Sequence, residues 1–193
     1  YPSVEEMYAP NAATYVEILD EMPKQLCGKT RPIHFRGVCT VVSKLFNIVQ
    51  PDKAFFGQKD AQQLAVIRRM VRDLSYGIEI VGCPIVREND SLAKSSRNTY
   101  LDANERKAAL VLSKAVFRGE YLVKSGVTDS EKVLAEMTAI ISAEPLAKID
   151  YVSAVDGETM LPVDAITNGV LVAMAVYIGK TRLIDNFIAG GPK

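Results

Sequence analysis

Four consecutive residues, Gly57-Gln58-Lys59-Asp60, follow a short apolar run and combine an open backbone, an amide, a cation and a carboxylate. Gly57 would let a phosphate approach the main chain closely, and Lys59 would add a positive charge beside it. A helix that starts here would offer its free N–H groups to the same anion. Asp60 could cap that helix or bind a ribose hydroxyl or magnesium. The segment predicts a phosphate-binding turn, with a purely structural turn as the alternative.

Two adjacent glutamines, Gln62 and Gln63, come next. Side chains at neighbouring helix positions point about 100° apart, so one can face a ligand while the other faces solvent or a strand. A polar surface role is the alternative for both.

A second polar segment, Lys94-Ser95-Ser96-Arg97-Asn98, places two hydroxyls and two cations in five residues. A guanidinium can clamp a phosphate with two parallel hydrogen bonds, which suits Arg97 to nucleotide binding. An ordinary exposed linker has a similar composition. The main reason to expect nucleotide binding here is that the chain also has the first phosphate-compatible turn.

His34 is the single histidine of the chain, which excludes zinc sites built from several imidazoles. A catalytic role and a packing or capping role at a helix start both remain open for it. The cysteines, Cys27, Cys39 and Cys83, are odd in number and lack a CxxC spacing. We expect them to be buried, inert thiols of a cytoplasmic protein.

The spacing of apolar residues shows which elements must position these groups. A helix is predicted from His34 to Gln50, a strand at 54–56, a helix from Asp60, and a strand at 78–81. An Asp60-x-x-Gln63 capping box would start the second helix. Its inward stripe would be Leu64, Ile67, Val71 and Leu74. Strand, helix and strand in this order predict a parallel sheet flanked by helices.

Charges and hydroxyls crowd residues 87–98, and the pattern changes after them. Asp102-x-x-Glu105 and Thr128-x-x-Glu131 predict two capping boxes, opening helices of about 20 and 15 residues. Strands are predicted at 149–155, 169–178 and 181–187. We therefore expect two domains: residues 1–86 carry the parallel sheet and residues 87–193 form a smaller α+β domain.

The whole chain has 193 residues, 48% hydrophobic, with 23 basic and 23 acidic side chains. These values are typical of globular proteins that build a core without disulfides. The formal net charge of zero argues against a nucleic-acid partner. No apolar run reaches the roughly 20 residues that a membrane-spanning helix needs. We expect neither nucleic acid nor membrane as a partner.

Three stretches in this order carry a specific resemblance: Arg31-Pro32-x-His34-Phe35-Arg36-Gly37-Val38, Phe56-Gly57-Gln58-Lys59-Asp60-Ala61-Gln62-Gln63 and Ser95-Ser96-Arg97-Asn98-x-Tyr100-Leu101. Together they resemble the pantothenate synthetases, or pantoate–beta-alanine ligases. The resemblance runs from Tyr1 nearly to Asp185-Asn186 and so covers almost the whole chain.

The resemblance implies a fold, a reaction and a set of residues. The fold is α/β, a partial Rossmann-like parallel sheet of the nucleotidyltransferase superfamily followed by a small α+β lid domain. The reaction adenylates pantoate with ATP and Mg²⁺, and beta-alanine then displaces AMP to give pantothenate. We also expect a homodimer. The implied ATP-binding residues are Gly57, Gln58, Lys59, Asp60, Val86, Lys94, Ser95, Ser96 and Arg97. Among them Lys59, Ser95, Ser96 and Arg97 are expected to act in catalysis, and Gln63 is expected to bind pantoate.

One departure from the family pattern is large. The family carries a His-x-Gly-His motif whose histidines contact the ATP phosphates, whereas His34 stands alone here. The chain also starts Tyr1-Pro2-Ser3 without a methionine. We expect it to be the C-terminal portion of such an enzyme and inactive by itself.

Two alternatives remain open at this point. The chain could be a non-catalytic module that binds nucleotide or dimerises. It could also belong to an adenylate-forming nucleotidyltransferase that acts on another acid.

Overall fold

The computed structural model describes residues 2–190, and these residues form twelve helices and strands. They are α1 Val4–Met7, α2 Cys27–Thr30, α3 His34–Val49, β1 Lys53–Gly57, α4 Ala61–Asp73, β2 Glu79–Cys83, α5 Ala103–Ala108, α6 Leu110–Lys124, α7 Ser130–Ser142, β3 Ala147–Asp156, β4 Val170–Ile178 and β5 Thr181–Ile188. Short 3₁₀ turns occupy Met22–Lys24, Gln58–Asp60 and Ser96–Tyr100. The predicted α/β class is confirmed: a parallel sheet comes first and a separate antiparallel sheet follows.

Strands β1 and β2 pair in parallel, in register from Lys53 opposite Glu79 to Gly57 opposite Cys83. Helix α4 connects them, as the strand–helix–strand pattern predicts. Its inner face buries Leu64, Val66, Ile67, Met70 and Val71. Because parallel strands end at the same edge, the turn after β1 opens where ligands bind in such sheets.

The start and end of α4 differ from the prediction. Asp60 occupies the N-cap position, but its side chain accepts no capping hydrogen bond, so the Asp60–Gln63 capping box is wrong. The chain enters the helix through the 3₁₀ turn Gln58–Asp60, and that turn holds Asp60 at φ −95° and ψ 56°, outside the extended geometry typical of a cap. Leu74 lies beyond the last helical residue and is half-exposed, so it does not continue the inward stripe.

The antiparallel sheet has the order β3–β4–β5, and its central strand is buried on both faces. Val172, Met174 and Val176 pack in one hydrophobic cluster with α6 and α7. Leu171 and Ala173 point the other way and pack in the cluster that holds residues of α3 and α4. Strand β4 therefore joins the two halves of the chain, and double burial explains its uninterrupted apolar sequence.

The helices before this sheet begin close to the predicted positions. Asp102 and Glu105 form the predicted reciprocal capping box at α5. The single long helix predicted after it is instead two, α5 and α6, which meet at Ala109. The N-cap of α7 is Asp129, which accepts from the N–H of Lys132, so the assignment of this cap to Thr128 is wrong. A carboxylate one residue later provides the same acceptor and takes the position.

None of the helices between residues 2 and 190 is long and apolar enough to cross a membrane.

Candidate functional site

A cavity of about 170 Å³ lies between the start of α4, the segment around Cys27 and the strands β4 and β5. We call it the central cavity. Of the predicted ATP- and pantoate-binding residues, Lys59, Asp60, Gln63 and Arg97 line it. They come from the turn after β1, from α4 and from the second polar segment, so folding brings together residues that are distant in the sequence.

The other predicted residues lie elsewhere. Val86, Lys94, Ser95 and Ser96 line a wider cleft of about 900 Å³, which we call the outer cleft. Gln58 lines neither of these two and contributes to another cleft beside β5. Gly57 lines neither the central cavity nor the outer cleft. Its backbone, at φ −69° and ψ 131°, is accessible to any residue, and a Cβ there would meet nothing within 4 Å in residues 2–190 apart from the adjoining residues of the chain.

Positive charge dominates the lining of the central cavity. Arg31, Lys59, Arg97 and Arg182 contribute cations, against the carboxylates of Asp60 and Asp185. Asp185 is already paired with a further arginine, Arg87. The side chain of Lys59 is only 15% exposed, and its Nζ lies 3.8 Å from Asp60 Oδ2. Arg182 is likewise paired, with Asp150, but Arg31 and Arg97 form no ion pair within residues 2–190, which makes the cavity suited to an anionic ligand.

His34 also lines this cavity, which its sequence context left undecided. Its Nε2 lies 3.5 Å from an Arg31 nitrogen, and its ring stacks at a tilt on Phe35 with centroids 5.0 Å apart. Burial lowers the pKa of His34 below its usual value, and the positive charges of Arg31, Arg97 and Arg182 lower it further. These effects favour the neutral imidazole.

The two neighbouring glutamines have different roles. Gln62 is buried: its Oε1 accepts from the Cys27 N–H at 3.0 Å, and its Nε2 donates to the oxygens of Met22 and Gln25 at 3.0 and 2.7 Å. Gln63 is half-buried, lines the central cavity and forms no side-chain hydrogen bond within the described residues. One glutamine fixes the cavity wall and the other has its amide free for a ligand.

The Gln62 contacts hold an unusual stretch of backbone. Leu26, which lines the central cavity, has φ 45° and ψ −116°, a conformation that a branched side chain rarely adopts. Main-chain bonds to Gln62 on both sides of Leu26 compensate for this strain.

A group from the antiparallel sheet completes the cavity and was missed in the sequence. Cys27 Sγ lies 3.4 Å from Tyr151 Oη and 3.5 Å from the nearer Arg182 nitrogen. Arg182 also donates two hydrogen bonds to Asp150, at 2.7 and 2.9 Å. No local signal could reveal this group, because Cys27 precedes Tyr151 by 124 positions and Arg182 by 155.

Burial has opposite consequences for these ionisable groups. Burial raises the pKa of Tyr151 well above its usual value, so the phenol stays protonated. Burial alone would lower the pKa of Arg182, but its hydrogen bonds to Asp150, together with Cys27 and Tyr151, raise it overall. The expectation of buried thiols is confirmed for Cys39 and wrong for Cys27 and Cys83, which are half-buried; Cys27 lies at the cavity wall.

Three residues of the second polar segment, Ser96, Arg97 and Asn98, lie in a 3₁₀ turn. Ser95 caps the 3₁₀ turn Ser96–Tyr100 by accepting from the Arg97 N–H at 3.2 Å. Asn98 donates to Glu88 and to the Ala93 oxygen, at 2.6 and 3.1 Å. Ser95 and Ser96 therefore face the outer cleft while Arg97 reaches the central cavity.

A family model described as pantoate-beta-alanine ligase matches residues 1–188. The chain belongs to the pantoate–beta-alanine ligase family. It is 59% identical over 186 residues to the pantothenate synthetase of Ruminiclostridium cellulolyticum and 58% identical to that of Enterococcus faecalis. Each alignment covers 96% of this chain and 66% of the relative, so the chain spans just under two thirds of the length of these pantothenate synthetases.

Solved structures of family members agree with this fold. The pantothenate synthetase of Thermus thermophilus superposes with a TM-score of 0.93 and 42% identity, covering 97% of this chain and 68% of that one. A pantoate–beta-alanine ligase from Francisella tularensis, solved with beta-gamma ATP and beta-alanine, gives a TM-score of 0.73 and 29% identity over 97% of this chain and 63% of that one.

No group of three or more histidine, cysteine or acidic side chains that could hold a metal ion occurs within residues 2–190. A cation at this site would need ligands from a substrate as well as from Asp60.

Proposed function

We propose that this chain carries the substrate-binding part of an enzyme that condenses pantoate with beta-alanine, using ATP and passing through pantoyl adenylate. The observation that carries the proposal is the central cavity, in which Lys59, Gln63 and Arg97 face one cationic space. The family and the ligands of the Francisella tularensis neighbour supply the chemistry. In this reaction AMP and pyrophosphate are released.

In this proposal ATP occupies both the central cavity and the outer cleft. Lys59 and Arg97 neutralise phosphate charge in the central cavity, and Gln63 binds pantoate there with its free amide. Val86, Lys94, Ser95 and Ser96 hold the remainder of the nucleotide in the outer cleft. Gly57 and Gln58 contribute main chain at the turn that positions Lys59.

Catalysis by this arrangement rests on placement and charge. The pantoate carboxylate is itself a competent nucleophile toward the α-phosphorus, so the first step needs alignment and neutralised phosphates. Lys59 and Arg97 provide both. In the second step the amine of beta-alanine attacks the acyl carbon and AMP leaves. The half-buried position of the cavity limits hydrolysis of the intermediate by water.

Mg²⁺ enters this proposal with ATP. Magnesium in nucleotide sites is held by one or two carboxylates together with substrate phosphates, and it spreads the negative charge of the triphosphate. Asp60 fits that requirement: it lines the cavity, and its side chain is 48% exposed.

We propose that residues 1–86 form the sheet domain and residues 87–193 the lid. Closure of the whole lid is limited, because Leu171 and Ala173 of the lid already pack with the sheet domain. An apolar contact of this kind restrains rigid-body motion of the whole lid.

We also propose that these 193 residues do not complete the reaction by themselves. The family pattern assigns ATP-phosphate contacts to two histidines, and the chain has one, already placed beside Arg31.

The three free cysteines fit a reducing cytoplasmic compartment.

Self-association is the second candidate function, either as the homodimer of the family or as a purely dimerising module. Ile48, Val49 and Phe55 are 65–68% exposed, an apolar exposure that favours contact with another chain. Light scattering would show a dimer; a monomer at every concentration would remove this candidate.

Isothermal calorimetry with ATP tests the nucleotide site. Lys59→Ala should weaken ATP binding at least tenfold, since one charge-assisted contact contributes about 1.5–3 kcal/mol. Lys53→Ala is the matched control: Lys53 begins β1, the strand that leads into the Lys59 turn, and pairs with Glu79 away from the cavity. Equal affinities in both variants would contradict the assignment.

ATP/pyrophosphate exchange in a polypeptide with both family histidines, run with a panel of acids, decides between pantoate and another acid.

A further inference from the structure

Strand β5 carries two adjacent buried polar residues, Asp185 and Asn186, only 1% and 5% exposed. Consecutive strand residues point to opposite sides, so these two side chains form hydrogen bonds with different segments. Buried polar groups of this kind require partners. Asn186 contacts one segment to which the proposed function assigns ATP, and Asp185 contacts the turn that leads into the other.

Asn186 contacts the first of these segments. Its Nδ2 donates to the main-chain oxygens of Gln58 and Lys59, at 3.1 and 2.9 Å. Both oxygens belong to the 3₁₀ turn between β1 and α4. One amide therefore fixes the main chain that aims the Lys59 ammonium into the central cavity.

Asp185 contacts the second segment through Arg87. The guanidinium donates to both carboxylate oxygens, at 2.7 and 2.9 Å, and also to the Ser91 oxygen at 3.1 Å. It stacks over the Phe117 ring at 4.9 Å. Arg87 and Ala93 pair as an antiparallel bridge at the base of a tight turn. Asp185 thus anchors the turn that leads directly into the 94–97 segment.

We propose that Asp185 and Asn186 are positioning residues that hold the two ATP-binding segments at a fixed separation. The inference rests on the proposed function for its purpose and on these contacts for its geometry. Residues 57–60 and 94–97 are distant in sequence. Both are positioned by contacts with adjacent residues of the same strand, β5. A displacement of about 1 Å between groups that must act on one nucleotide can cost a hundredfold in rate.

Hydrogen exchange of the 193-residue chain tests the geometry. Asn186→Asp keeps the shape but points an acceptor at two carbonyl oxygens, and we expect faster exchange in the peptide covering 55–62 only. Asp185→Asn weakens the Arg87 pair, and we expect faster exchange across 87–98 only. The matched control is Asn47→Asp, the same chemical change at an exposed residue whose side chain donates a long hydrogen bond of 3.5 Å to Tyr76.

A merely structural role would loosen the whole lid in both variants. Equal acceleration of both peptides, or acceleration within β4, would therefore overturn the inference, and so would no change in either peptide. If Asn186→Asp does not fold, Asn186→Ala replaces it, because it removes the same hydrogen bonds without adding a charge. If Asp185→Asn does not fold, Arg87→Lys replaces it, because it keeps the positive charge and loses the bidentate contact.

Calorimetry with ATP adds the functional arm. We expect roughly tenfold weaker binding in Asn186→Asp and unchanged binding in Asn47→Asp. If the unaltered chain binds no ATP, the proposed function fails, while the segment-specific exchange still decides the positioning role. If the chain binds ATP and the variant binds it equally well, the positioning role fails and the proposed function stands.

Discussion

The side-chain oxygen of Gln62 accepts a hydrogen bond from the main-chain N–H of Cys27 at 3.0 Å, across 35 positions of sequence. The nitrogen of the same amide donates to the main-chain oxygens of Met22 and Gln25, so one buried residue holds the strained wall of the central cavity. Gln63 beside it keeps its amide free. This division of roles between neighbours can be tested with identical substitutions.

Gln62→Glu should destabilise the chain by at least 1–3 kcal/mol, because the two main-chain oxygens would face an acceptor and a charge would be buried. Gln63→Glu should change the free energy of unfolding by roughly 0.5 kcal/mol or less, since this residue is half-exposed. Urea unfolding of both variants measures the difference. Equal destabilisation would contradict the assignment of separate roles.

The pKa of His34 should lie below 6.5, the value for an unperturbed imidazole, because burial and the nearby arginines disfavour the charged form. A depressed pKa in the folded state means that the unfolded chain takes up this proton first. The free energy of unfolding should therefore fall as pH drops through about 6.5. His34→Gln should remove that part of the pH dependence, as measured by urea unfolding between pH 7.5 and about 5.5. An unchanged profile would show that His34 titrates normally.

Burial raises the pKa of the Cys39 thiol to about 11, so very little reactive thiolate exists near neutral pH. We expect iodoacetamide to modify Cys39 at least 100-fold more slowly than Cys27, which is half-buried at the cavity. Peptide mass spectrometry would follow each site, with urea-unfolded chain as the control in which all three cysteines react. ATP in the cavity should slow modification of Cys27 alone. Rapid labelling of Cys39 in folded protein would contradict its burial.

Much of the fold could be predicted from the sequence because its signals are local. Periodic apolar residues define α3 and α4, and β1 and β2 end at a glycine and a cysteine close to the expected positions. Where two local signals compete, prediction is less secure. The N-cap of α7 is Asp129, where Thr128 was predicted. At α4 the predicted capping by the Asp60 side chain is absent, and a 3₁₀ turn precedes the helix.

The candidate site was only partly accessible to sequence reasoning. The segments around Lys59 and Arg97 combine glycine, hydroxyl and cationic residues in short runs, so their composition suggests phosphate binding. Arg182, Tyr151 and Asn186 give no such signal, because each sits in an ordinary strand. Their roles depend on strands β3 to β5 folding back against α4, which no local pattern encodes.

The central claim is that the cavity lined by Lys59, Gln63, Arg97 and His34 binds the phosphates of ATP. Because His34 is the only histidine, its imidazole gives one unambiguous NMR signal. A bound triphosphate would stabilise the imidazolium, so millimolar Mg-ATP should raise the pKa of His34 in the unaltered chain and in Lys53→Ala, and much less in Lys59→Ala. A His34 titration that ATP leaves unchanged in all three proteins would contradict the claim.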